Sequence, residues 1–175
     1  MTIWFSADFH LGHSRIIEFC KRPFKDVDEM NEEIIRRWNS CVNDSDTGYI
    51  LGDFCFGDPR KYYSRLNGRV YIVPGSHDKE LRKLDQKFIL PSIYVLKGLL
   101  DDKRLGITLC HYSMRTFSQS HYGAIHLYGH SHHQLTDDPM SLSFDVGVDG
   151  WNFYPLSIEQ VKEKMDKKKK VMQQN

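Results

Sequence analysis

The sequence predicts one α/β domain, and three observations predict it. Short apolar runs alternate with helical stretches through the first half of the chain. The second half carries further apolar runs separated by short polar turns. Five of these runs stop at an aspartate, a serine-histidine-aspartate triplet or a histidine. A length of 175 residues suits a single domain with a sizeable core.

Ile3-Trp4-Phe5-Ser6-Ala7 reads as a buried strand ending at Asp8. Val27, Met30, Ile34, Trp38 and Cys41 then recur at spacings of three and four, which puts one apolar stripe on a helix of about four turns. Its outer face carries Glu29, Glu32, Glu33, Arg36 and Arg37. Asp26 or Asp28 can cap its start, and Asn43-Asp44 suit its end. Tyr49-Ile50-Leu51 is a short strand stopping at Gly52-Asp53. Residues 58–67 read as helix with Gly68 as a stop, and Val70-Tyr71-Ile72-Val73 as a strand broken by Pro74-Gly75. A short helix is expected over 79–87. Strands are expected over 93–100 and 105–110, joined by Asp101-Asp102-Lys103, the second ending at His111. Ile125-His126-Leu127-Tyr128 ends at Gly129-His130, and 143–148 alternates polar and apolar as a half-exposed strand does. A basic helix over 158–170 is expected to fray into a disordered tail from about residue 167, with Lys167 to Lys170 solvated. Strand–helix alternation predicts parallel pairing in the first half. Short turns predict antiparallel pairing in the second. No internal repeat or linker divides the chain.

Composition excludes several function classes. Forty percent apolar and 27% charged residues make an ordinary soluble balance. A net charge of +1 gives no global field to recruit a polyanion, so any preference for phosphate must be local. Cys20, Cys41, Cys55 and Cys110 form no CxxC pair, which argues against a thiolate zinc site or a disulfide framework and suits a reducing, cytoplasmic setting. With no charged-then-apolar leader and no long apolar run, neither export nor a membrane span is expected.

The chemistry sits at the strand ends: Asp8 with His10, Asp53, Ser76 with His77 and Asp78, His111, and His130 with His132. Sites in α/β sheets gather at the carboxyl ends of strands, so these five ends can converge. Carboxylate oxygen and imidazole nitrogen without thiolate suit manganese, iron, zinc or a similar ion in an open catalytic site. Alone, each piece is weak. A Gly-Asp is ordinarily a turn, and a histidine after a strand is ordinarily a structural residue. Their joint order is what points to metal.

The run Asp8-Phe9-His10, Gly52-Asp53, Gly75-Ser76-His77-Asp78, His111 and Gly129-His130-Ser131-His132 resembles the signature of calcineurin-like metallophosphoesterases, over residues 3 to about 150. His10-Leu11-Gly12-His13, Arg22-Pro23-Phe24 and Asp145-Val146-Gly147-Val148-Asp149 resemble a small microbial and phage subgroup of that family. The resemblance implies a four-layer α/β/β/α sandwich of two mixed sheets. It implies two divalent cations, manganese first, with iron, zinc, nickel or cobalt as alternatives. Asp8, His10 and His132 would hold one, His111 and His130 the other, and Asp53 would bridge them. Two cations about 3.5–4 Å apart need a shared anion, and a carboxylate can supply one. A water between them becomes the nucleophile near neutral pH. His77, oriented by Asp78, would protonate the leaving group.

Ser76 departs from the pattern, because the family places there an asparagine that ligates the second metal. A hydroxyl is shorter and a poorer neutral ligand. Three readings stay open: the serine suffices, directly or through water; the second metal binds weakly; or the position is altered and the enzyme crippled. Weakened second-metal occupancy with activity retained is the expectation. Loss of even an orienting partner commonly costs 10–100-fold in metal affinity.

Substrate contacts are expected from His13, Arg22 and Arg115, the last by bidentate guanidinium. His133 is expected to point away from His132, His121 and His126 to be structural or surface residues, and Tyr62, Tyr63 and Leu66 to pack. Asp145 and Asp149 are read as turn formers before orienting partners of a histidine. The chain leaves no room for a capping domain of the kind larger relatives carry, so the site should be shallow and open. The resemblance implies a phosphate-ester substrate, and an open site favours a phosphodiester first and a phosphomonoester or nucleotide second. The alternative class is a binding scaffold of the same fold, which the change at Ser76 permits.

Overall fold

A computed structural model describes residues 1–174. Two four-stranded mixed sheets pack face to face. The first has the order β3 (Arg69–Ile72), β2 (Thr47–Ile50), β1 (Ile3–Ser6), β8 (Leu156–Ser157), with β8 antiparallel to three parallel strands. The second runs β4 (Ile93–Lys97), β5 (Gly106–Cys110), β6 (Ile125–Tyr128), β7 (Ser143–Asp145), with β4 antiparallel to the rest. This is the predicted α/β sandwich of two mixed sheets.

The strand pleat divides the side chains between two cores. Phe5, Tyr49, Leu51 and Val73 from the first sheet meet Ile107, Leu109, Leu127 and Phe144 from the second, joined by Ile158, Val161 and Met165. The opposite face of the first sheet, with Ile50, Val70 and Ile72, packs on Met30, Ile34 and Trp38 of α2 (Val27–Cys41). Asp26 caps α2 by accepting the Glu29 amide at 2.8 Å, as predicted. The Trp38 ring lies so close over β2 that a Cβ on Gly48 would fall 2.5 Å from it.

Several expectations are corrected. Pairing in the second half is not mainly antiparallel: β5, β6 and β7 are parallel. Residues 111–124 and 129–142 are the reason. Parallel neighbours need a crossover of a dozen or more residues, and these segments are long enough with only a 3₁₀ turn at Ser120–Tyr122 and no α-helix. The helix read over 58–67 contracts to α3 (Arg60–Tyr63), and the one over 79–87 becomes two 3₁₀ turns, Lys79–Lys83 and Gln86–Phe88. The basic segment is not a loose tail among the described residues, because α4 runs from Ile158 to Gln174. Lys168 is buried in it, and its ammonium donates to the Asp137 carboxylate and to the carbonyls of Asp138, Ser141 and Ser143. No helix among the described residues is long and apolar enough to cross a membrane.

Candidate metal centre

The carboxyl ends of β1, β2, β3, β5 and β6 lie at one edge of the sandwich, where the chain stitches the two sheets together. The Asp8 amide donates to the Gly52 carbonyl (3.0 Å) and the His10 amide to Asp53 (2.9 Å). Ala7 bridges to Gly147, and His111 Nδ1 lies 2.9 Å from the Leu51 carbonyl, tying the second sheet to the first. A Cβ on Gly52 would sit 2.5 Å from His111 Nδ1 and 2.6 Å from the Gly75 Cα, so a glycine is what lets these loops close.

Asp8, His10, Asp53, His130 and His132 all have φ between 47° and 69°. Side chains other than glycine rarely adopt this left-handed backbone, and such strain collects where geometry serves function. With His111 these five form two clusters, Asp8 with His10 and His132, and Asp53 with His111 and His130, each with ligand atoms within 4.8 Å of one another. Asp53 joins them. Its Oδ2 lies 3.5 Å from His10 Nε2 in one cluster and 3.5 Å from His111 Nε2 in the other.

The donor set fits divalent cations. Both ring nitrogens of His10 are buried without a hydrogen-bond partner among the described residues, a costly state for an imidazole unless something ligates it. His132 Nδ1 is held by Asp149 at 2.7 Å and His111 Nδ1 by Leu51, which leaves each Nε2 directed inward. This is how metal-ligating imidazoles are ordinarily fixed in tautomer and orientation. Burial pushes the Asp8 carboxyl up to about 7 and His10 down to about 3, so the cluster alone resists charge. Burial acts the same way on Asp53, yet the hydrogen bond and charge of His111, the His77 amide and His10 hold its carboxyl well below the usual range.

Ser76 lies beside Asp53, its hydroxyl donating to Oδ2 at 3.1 Å. His77 is half exposed at the mouth. Its amide donates to Asp53 Oδ1 (2.8 Å), and its Nε2 stands 4.0 Å from Oδ2. Asp78 does not orient the His77 ring. Its carboxylate accepts the amides of Asp53, Phe54 and Gly75 at 2.8–2.9 Å, so it knits the β2 and β3 loops instead. His13 is at the site, its ring stacked 3.9 Å from Phe56 and 5.5 Å from His10.

Two expected substrate contacts fall elsewhere. The Arg22 side chain is fully buried, and its donors are spent on both Asp149 oxygens and on the carbonyls of Phe9 and Asp8. It supports the Asp8 loop and does not line the cavity at the site. Arg115 lines a different groove, with Phe117, His121 and Tyr128 on the outer face of the second sheet. The reason is chain direction: past His111 the backbone turns back across that face, fixed by His126, whose Nε2 lies 3.2 Å from both the Met114 amide and the Tyr112 carbonyl. His133 does turn aside, its Nε2 3.1 Å from the Gly147 carbonyl. Asp145 accepts the Ser131 hydroxyl and the His133 and Gly147 amides, as a turn former does.

Asp149, expected first as a turn former, is the orienting carboxylate of His132. Asn31, which the sequence does not single out, is buried on α2, and its Oδ1 accepts the Gly12 amide at 2.8 Å and anchors the loop carrying His10 and His13. A polar residue on the apolar stripe of α2 was the available signal.

Fold and site together define an α/β sandwich with two facing carboxylate–imidazole clusters at one edge. No family profile matches the chain. It is 29% identical to the uncharacterized protein MJ1445 of Methanocaldococcus jannaschii, over 97% of this chain and 94% of that one. It is 33% identical to the gene 66 protein of Mycobacterium phage L5, over 43% of this chain and 39% of the phage protein. Its fold is similar to that of the protein of unknown function AQ665 from Aquifex aeolicus, with a TM-score of 0.69 at 21% identity, covering 93% and 98% of the two chains.

Proposed function

We propose that the protein is a phosphoesterase that uses two divalent cations, with phosphodiesters as the preferred substrates and manganese as the preferred metal. One observation carries the reading: a single Asp53 oxygen lies 3.5 Å from an imidazole of each cluster. Asp8, His10 and His132 would hold one ion, and His111 and His130 the other. Asp53 would be shared, and Ser76, whose hydroxyl donates to Asp53, would stand beside the second position. Bound there, the ions would supply an activated water and neutralise phosphate oxygens as charge builds in the transition state.

The chain's own groups do the rest. Asp149 holds His132 in one tautomer and, through Arg22, ties it to the Asp8 loop. The His77 amide bond to Asp53 keeps its ring at the mouth, where the imidazole can hand a proton to a departing alkoxide. The cavity here holds about 410 Å³. It is open on one side, which favours a substrate extending beyond the reacting phosphate.

Hydrolysis of bis(4-nitrophenyl) phosphate with added manganese tests the reading. Turnover should vanish with chelator and fall at least about 100-fold in Asp53→Asn, since losses around metal ligands alone reach that size. Inactivity with manganese, nickel, cobalt, iron and zinc alike would instead favour a binding protein of the same fold.

A further inference from the structure

We propose that the wall formed by Phe19, Phe56 and His13 binds a planar aromatic group on the substrate, a nucleobase or an aryl ring. This rests on the phosphoesterase reading and names its substrate class. The cavity lining is of two kinds. Its polar members include His10, Asp53, His77, His130 and His132. Its apolar members are Ile16, Phe19 and Phe56. A site for phosphate alone has no use for the apolar part.

Phe19, at the end of α1 (Arg15–Phe19), is 58% exposed, and no other phenylalanine among the described residues is exposed. It meets the His13 ring edge-on at 6.5 Å, and His13 stacks on Phe56, which lies 5.2 Å from His77. The aromatic surface therefore begins beside the proposed proton donor and extends outward to Phe19, in the direction a phosphate's substituent would take. A hydrogen-bonding group accompanies it. The Gln134 amide lines the same cavity and can both donate and accept, as a base edge requires. The Arg15 guanidinium lies 5.0 Å from the Phe19 ring and keeps positive charge at the rim for an anionic ester.

Calorimetry on the manganese-loaded protein tests this, with adenosine 5′-monophosphate, phenyl phosphate and ribose 5-phosphate as product mimics. At least one aromatic ester should bind about ten-fold more tightly than ribose 5-phosphate, the usual scale of one stacked ring. Which of the two binds tighter identifies base or simple aryl. Phe19→Ala should erase the preference and Phe19→Tyr should keep it. Both substitutions fall at an exposed position, and circular dichroism checks that the variants fold. Equal binding of all three esters, with manganese bound and diester hydrolysis intact, would overturn this inference alone. Loss of both manganese binding and hydrolysis would remove the phosphoesterase reading, and the inference with it.

Discussion

At the scale of the residue, the site depends on side chains that stand behind the cavity lining. Asp149 is the clearest case. Burial opposes its charge, but hydrogen bonds from His132 and Arg22 hold its carboxyl down at about 2, against an ordinary 3.8. A depressed carboxyl contributes stability that is complete above the unfolded value and is lost as pH falls through the folded one. The window is therefore about pH 4 to pH 2, and the contribution is on the order of 2 kcal/mol. In metal-free protein, the urea midpoint should fall less steeply across that window in Asp149→Asn than in the parent. An unchanged slope would mean the carboxylate does not hold these partners. Asp149 also marks where sequence reading ran out. The clustered aspartates and histidines were legible because they stand at or just past the ends of apolar runs. The partner of His132 lies 17 positions along the chain, past β7, and no local pattern links the two. Arg22 was legible as a cation near the site, but only its burial tells that it braces a loop.

At the scale of the element, periodicity served well where one face is buried and poorly where anchoring is polar. The stripe on α2 was readable because Met30, Ile34 and Trp38 share one packed face. The end of α4 was not, because its four consecutive lysines read as solvated charge. Only the fold brings Asp137 and three carbonyls around Lys168. A hydrogen bond to a charged group contributes about 1.5–3 kcal/mol, and the buried Lys168 ammonium makes such bonds to three carbonyls besides its pair with the exposed Asp137. Lys168→Ala should therefore lower the denaturation midpoint sharply, while the exposed Lys170→Ala should leave it nearly unchanged. Equal effects would return the segment to the loose tail that composition suggests.

At the scale of the whole molecule, the α/β class and the gathering of strand ends at one edge followed from the order of apolar runs and the residues that stop them. The pairing of β5, β6 and β7 did not, because irregular crossovers carry no periodic signal and only their length separates them from long turns. The two-sheet layering came from resemblance, since no apolar run says which of two faces it meets. The two sheets meet at the edge where Asp53 and His10 from the first face His111 and His130 from the second. If this edge holds a pair of cations, anomalous diffraction from crystals grown in manganese will show two peaks flanking Asp53, one among Asp8, His10 and His132 and a weaker one between His111 and His130 beside Ser76. Crystals with manganese in excess and no anomalous density between these side chains would contradict such a pair.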